Sequence, residues 1–167
     1  MLLKLSNRFL KEVDKHLLWN FIYKFGWKGT RTVNTFSKRA AKGKNTFPAF
    51  LVMSITSHCN LRCQGCWVTP SDPPQQLSLK QMDKIVTECK NNGSFFFGIL
   101  GGEPLLHPDL FALIEKHPDA YFQIFTNGTL LTNKIAEKIK KLGNVTPLIS
   151  VEGNITVSDQ RRGGKNR

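Results

Sequence analysis

The sequence predicts an α/β fold built on a parallel sheet. Two observations carry that reading. From Pro48 to Gly153, apolar runs of strand length alternate with amphipathic helical patterns, joined by short links. The polar residues suited to chemistry follow the strands and never precede them: Cys59, Glu103, Asn127 and Glu152 each stand just after one. In parallel α/β barrels the active site lies at that end of the strands. Four separate segments are therefore expected to converge on one mouth.

Residues 1–47 form a basic arm ahead of the sheet. Leu5, Phe9, Val13, Leu17 and Phe21 recur at near-helical spacing, with Lys4, Arg8, Lys11 and Lys15 between them. The pattern predicts an amphipathic helix from about Leu3 to Tyr23. Gly26 and Gly29 are expected to break it, leaving Thr30 to Lys44 as a basic linker that carries Arg31, Lys38, Arg39, Lys42 and Lys44 and no acid. The cations and the aromatics Trp19, Phe21 and Trp27 suit docking on an anionic membrane surface. They equally suit an extra helix packed on the sheet with a solvated basic face. No nucleic-acid-binding motif is present.

The core, residues 48–157, reads as follows. Ala49 to Ile55 is a near-continuous apolar run, as in a strand buried on both faces. Ser71 to Gln76, with Pro73 and Pro74, is a non-helical connector. Ser78 and Gln81 form a capping box for the first core helix. Leu79, Met82, Ile85, Val86 and Cys89 give it one apolar face, and Gly93 stops it. The second strand is Phe95 to Leu100. Pro108 opens the second helix, with Leu110, Leu113 and Ile114 inward. The third strand is Tyr121 to Phe125. Thr132 caps the third helix, Ile135, Ile139 and Leu142 line it, and Gly143 closes it. The fourth strand is Pro147 to Val151. Three complete strand–helix units and a fourth strand result. Residues 158–167 read as a basic polar tail.

Composition narrows the classes. The formal net charge of +12 on 167 residues is high, and 40% hydrophobic content suffices for a core. Three of the four cysteines are clustered, which fits a reducing, cytoplasmic setting better than a disulfide scaffold, and peripheral contact with the membrane is one reading of the basic arm. No apolar run of about 18 residues is present, and no secretory signal is expected.

Cys59, Cys63 and Cys66 are the candidate metal ligands. Three neighbouring thiols always leave one unpaired as disulfides, whereas thiolate is the soft ligand that iron–sulfur clusters select. Zinc in a structural site wants four ligands, and no second cysteine pair supplies a fourth. Three ligands on a four-iron cluster leave one iron open for chemistry. Buried thiols and a zinc knuckle are the competing readings. Cys89, mid-helix on the apolar face, reads as a small buried hydrophobe.

The spacing Cys59-x-x-x-Cys63-x-x-Cys66 after the first strand, with Gly101-Gly102-Glu103-Pro104 at the end of the second, resembles the radical S-adenosylmethionine (radical SAM) family from about Pro48 to Gly153. The resemblance implies a partial (βα) barrel in which the cysteines hold a [4Fe-4S] cluster. It implies that the open iron chelates SAM and that one electron cleaves the sulfonium to a 5′-deoxyadenosyl radical for hydrogen abstraction. On the same grounds Gly101, Gly102 and Glu103 would receive the SAM amino group. Asn127 would meet substrate or SAM, and Ser150 the ribose or carboxylate. Glu152 shares that strand face, and Arg161 and Arg162 would either reach a carboxylate or form a solvated tail. A one-electron reductant of flavodoxin or ferredoxin type is implied; the substrate is not. His58 reads as a loop residue and His107 as a helix-entry residue. Two departures stand out. Gly65 occupies the position before the third cysteine where the family has an aromatic, and Trp67 follows. Four strands stand where the family has six, so the chain is expected to be a C-terminally truncated member, with completion by a partner chain as the competing explanation. A cluster-binding or electron-transfer fragment and a zinc-stabilised interaction domain are the alternative functions.

Overall fold

The structure is a computed structural model that describes residues 11–43, 47–68, 71 and 73–162. Its elements begin and end where local chemistry dictates. Ser78 and Gln81 form the expected capping box at the start of a helix over Leu79–Asn91, and Gly93 takes a φ of +89° just past its end. Thr132 accepts from the Ile135 N–H and opens the helix Asn133–Leu142, which Gly143 closes at a φ of +67°.

In chain order the elements are α1 (Lys15–Asn20), a π-helical stretch (Phe21–Trp27), α2 (Lys28–Ala41), β1 (Leu51–Ser54), α3 (Leu79–Asn91), β2 (Phe96–Leu100), a short 3-10 turn (Pro104–Leu106), α4 (Leu110–Lys116), β3 (Tyr121–Thr126), α5 (Asn133–Leu142), β4 (Val145–Ile149) and α6 (Ile155–Arg162). The four strands pair in sequence order, β1-β2-β3-β4, all parallel. The predicted strand–helix alternation is thus present, with no closed barrel among the described residues.

One sheet face carries the core. Met53, Phe97, Ile99, Phe122, Ile124 and Val145 are buried there with Met82, Val86 and Cys89 of α3 and Leu110, Leu113 and Ile114 of α4. The other face is open. Val52 on β1 and Leu148 on β4 are exposed there. This corrects the expectation that the first strand is buried on both faces: its apolar run is continuous, but core helices cover it on the Met53 side and Val52 stays exposed.

Two further expectations shift. β4 runs Val145–Ile149, two residues earlier than read, because Pro147 sits within the strand. It is an edge strand, where a missing N–H costs least. Pro108 does not open its helix; it stands in a turn with Asp109, the N-cap residue, and α4 starts at Leu110.

The N-terminal arm differs most. Its predicted first residues, 3–10, lie outside the described ones. Gly26 and Gly29 do not break the helix, which runs from α1 through the π stretch into α2, so Thr30–Ala41 is helical and not a linker. Two glycines cost helix propensity of about 1 kcal/mol each, but packing on the sheet supports the segment. Phe25 meets Phe96 at a centroid distance of 5.2 Å and Tyr121 at 5.8 Å. Lys28 Nζ donates to the Asp119 carbonyl at 3.0 Å, and Arg39 to the Asn92 carbonyl at 2.9 Å. All these partners precede or begin strands, so the helix lies across the end of the sheet opposite the cysteines.

Candidate metal centre

The cysteine loop is built onto the strand ends by backbone hydrogen bonds. Gly102 N–H donates to Thr56 O at 2.7 Å, and Glu103 N–H to His58 O at 2.8 Å. The two glycines are what permit this approach. A Cβ on Gly101 would stand 2.6 Å from Thr56 O, and one on Gly102 would stand 2.3 Å from His58 O. Their first role is therefore to let two backbones touch. Within the loop, Leu61 is buried as an anchor. Gly65 has a φ of +71°, in the left-handed region, between Cys63 and Cys66. That backbone demand explains glycine in a position where an aromatic was the family expectation.

Glu103 is fully buried, and its carboxylate is engaged inside the protein. Oε1 accepts from Thr126 Oγ1 at 2.7 Å and Leu105 N–H at 3.1 Å, while Oε2 accepts from Asn127 N–H at 2.8 Å. The sequence expectation aimed this carboxylate at an ammonium. In the folded chain it ties the end of β2 to the end of β3, three of its about four lone pairs already in use. Asn127 passes the tie onward. Its Nδ2 donates to Asn60 Oδ1 at 2.9 Å, and Asn60 Nδ2 donates to Thr129 Oγ1 at 2.8 Å. The loop after β3 thereby grips the cysteine loop.

A fourth segment closes over the mouth. Arg162 on α6 is buried and donates to the carbonyls of Asn127, at 3.0 Å, and Ser150. Glu152 pairs with Arg161, whose carbonyl accepts from the Gln64 N–H at 2.7 Å. The reading of these arginines as a solvated tail fails for Arg162, which is locked under the strand ends, while Arg161 stays exposed and pairs with Glu152.

Cys59, Cys63 and Cys66 share one cavity of about 280 Å³ with Gly101, Gly102, Asn127 and Ser150. Trp67 and Glu152 also line it, and Glu103 does not. Burial pushes the Cys63 thiol up, the neighbouring Cys66 and Cys59 push it further, and Arg162 works the other way. The Cys63 sulfur thus feels the charge of its two neighbours, which a bound cation would relieve. Among the described residues, no three His, Cys, Asp or Glu side chains gather as tightly as one metal ion requires. Two sulfurs on a single tetrahedral zinc would stand about 3.8 Å apart. A cluster takes each thiolate on a different iron and has no need of that tightness. The donor set, three soft thiolates at a cavity lined by no fourth thiol and no imidazole, fits a cluster with one open iron. Cys89 is buried in the core, apart from this group.

Of the predicted site residues, the structure brings Cys59, Cys63, Cys66, Gly101, Gly102, Asn127 and Ser150 together at one cavity and sets Glu103 behind it. His58 is exposed, as expected of a loop residue. His107 is buried at helix entry, accepting from the Asp109 N–H and bonded to Leu77 O at 2.8 Å. Sequence reasoning missed Asn60, Thr126 and Thr129. Asn60 lies between two cysteines, but nothing in local spacing announces a partner 67 residues away.

Comparison with known proteins bears on the family and the fold. A family model described as the radical SAM superfamily matches residues 53–156. The AdoMet-dependent heme synthase of Methanosarcina barkeri is 33% identical over 121 residues, covering 70% of this chain and 35% of that protein. Mycofactocin maturase MftC of Mycolicibacterium smegmatis is 32% identical over 122 residues, covering 70% of this chain and 31% of that protein. The chain thus spans about a third of the length of these relatives. Among solved structures, SuiB of Streptococcus suis shares the fold at a TM-score of 0.65 and 24% identity, over 86% of this chain and 33% of that one. BtrN in complex with AdoMet and 2-DOIA does so at a TM-score of 0.53 and 22% identity, over 70% of this chain and 52% of that one.

Proposed function

The chain belongs to the radical SAM superfamily, and on that premise we propose that it is the cluster- and SAM-binding portion of a radical SAM enzyme. Cys59, Cys63 and Cys66 hold a [4Fe-4S] cluster. When bound, that cluster supplies the electron that cleaves SAM to methionine and a 5′-deoxyadenosyl radical, which abstracts hydrogen from substrate. The chain's own residues bind and orient. Carbonyls at the Gly101-Gly102 strand end accept from the SAM ammonium. Ser150 and Asn127 flank the ribose and carboxylate. Glu103 acts one step back, holding Asn127 in place, because its carboxylate is enclosed by Thr126, Leu105 and Asn127. The observation that carries this reading is the single cavity shared by the three cysteines, the two glycines and Ser150.

A one-electron donor of flavodoxin or ferredoxin type completes the chemistry. Substrate specificity is left to parts of such enzymes beyond the third of the length matched here.

Anaerobic reconstitution with iron and sulfide, then reduction in the presence of SAM, tests the proposal. Expected are a brown protein, an electron-spin resonance that SAM alters, and 5′-deoxyadenosine. A cluster that neither responds to SAM nor yields deoxyadenosine would leave only an iron–sulfur fragment. Colourless protein carrying zinc would replace the proposal with an interaction domain.

A further inference from the structure

The helix under the sheet has two apolar faces, and only one is used. Phe21 and Phe25 pack toward Tyr121 and Phe96. On the opposite side Trp19, Ile22, Tyr23 and Trp27 are 65%, 52%, 43% and 61% exposed. Trp19 and Tyr23 stack with centroids 6.2 Å apart and rings nearly parallel at 5°. The order along this face is Lys15, Trp19, Tyr23, Trp27, Arg31, all at intervals of four, then Lys38.

In an α-helix, residues four apart rotate steadily around the axis. The π stretch Phe21–Trp27 has a wider turn and rotates them back. The aromatics and the flanking cations therefore stay on one outward line. Lys15, Arg31 and Lys38 are exposed. From residue 15 to 43 the chain holds seven cations, Lys15, Lys24, Lys28, Arg31, Lys38, Arg39 and Lys42, and no acid.

We propose that this outward face of the N-terminal helix docks on an anionic lipid surface. Trp19, Ile22, Tyr23 and Trp27 would enter the headgroup region, while Lys15, Arg31 and Lys38 pair with lipid phosphates and carboxylates. The arrangement is that of an interfacial helix: amphipathic aromatics at the centre, cations at both ends and no carboxylate from Lys15 to Gly43, the acids Glu12 and Asp14 standing just before it. Nucleic acid would take the cations but offers no home for Ile22. An acidic protein groove would need no such uniform charge along the whole segment. No described helix is long and apolar enough to cross a membrane, so the contact lies in the plane of the surface. The geometry has a consequence. The helix crosses the sheet at the end opposite the cysteines, so a docked chain turns its cluster mouth toward water, and substrate and reductant approach from that side.

The test is flotation of the full chain with vesicles of phosphatidylcholine containing about 30% phosphatidylserine, against phosphatidylcholine alone. Binding is expected to the anionic vesicles only and to weaken with salt. Lys15→Gln/Arg31→Gln/Lys38→Gln should lower partitioning on the order of a hundredfold. Trp19→Ser/Trp27→Ser should lower it about tenfold or more, with an unchanged melting temperature, since neither ring packs on the sheet. Trp67→Ser, at the opposite end, should bind like wild type. No binding to anionic vesicles at low salt overturns the proposal, as does equal binding by the Trp19/Trp27 variant. Retention of RNA in place of vesicles overturns it as well and assigns the face to nucleic acid. None of these outcomes depends on the cluster.

Discussion

Replacing Gly102 by alanine perturbs the joint between the cysteine loop and β2 at a single atom. The added Cβ would stand 2.3 Å from His58 O, 2.6 Å from His58 C and 2.9 Å from Cys59 Cβ. Ordinary carbon–oxygen contacts begin near ~3.3 Å, so the overlap is about 1 Å, and against backbone. No flexible side chain can yield. The strand end must separate from the loop, which sacrifices the Gly102–Thr56 and Glu103–His58 hydrogen bonds. At about 1 kcal/mol for each bond and about 1–3 kcal/mol for the residual strain, the loss is roughly 3–5 kcal/mol. That is a large share of an ordinary domain's stability of about 5–15 kcal/mol. Urea unfolding of the unreconstituted chain reads it directly. Gly26→Ala is the control. A Cβ there meets nothing within 4 Å, and in a helix the change should stabilise by about 0.5–1 kcal/mol. If Gly102→Ala unfolds within 1 kcal/mol of wild type (below the roughly 3 kcal/mol worked out above), the close-approach reasoning is wrong.

Two other perturbations separate structural from ligand-binding roles. Glu103→Gln puts an amide N–H against a donor that now meets a carboxylate oxygen, so the chain without SAM should lose about 1–3 kcal/mol; unchanged stability with weakened SAM binding would return the carboxylate to direct contact with the ligand. His117 is held below its ordinary pKa of 6.5 by burial first and by the Lys90 ammonium, with Asp83 opposing. Lys90 approaches Nδ1 at 3.3 Å and Asp83 Oδ1 lies 3.0 Å from Nε2, the pattern of a neutral ring donating to the carboxylate. The folded state disfavours the proton that the unfolded state accepts. Stability from this group is therefore complete above about pH 6.5 and is lost as pH falls from there toward the depressed folded value. The urea midpoint should drop between about pH 7.5 and about pH 5.5, and His117→Gln should flatten that step.

The sequence was most informative where local chemistry decides. The capping box at Ser78, the stops at Gly93 and Gly143 and the alternating strands were readable because each depends on residues within one turn. The convergence of the site was also legible, since parallel strands bring every polar strand end to one mouth. Reading failed where distant parts decide. Gly26 and Gly29 looked like breaks because the support for that helix comes from Phe96 and Tyr121, far along the chain. Ala49 to Ile55 looked doubly buried because its apolar run does not say which face helices cover. The partners of Glu103 within the chain, Thr126 and Asn127, are invisible in sequence because they meet it only when β2 and β3 lie side by side. Gly65, a departure from the family pattern in sequence, is intelligible as a left-handed turn between two cysteines.

Iron content per chain after anaerobic reconstitution, wild type against cysteine variants, tests the central claim most directly. Wild type and Cys89→Ala should each hold about four irons, and Cys59→Ala, Cys63→Ala and Cys66→Ala combined should hold none. Iron retained by the triple variant, or lost from Cys89→Ala while it remains folded, would contradict the assignment of the cluster to the mouth of the sheet.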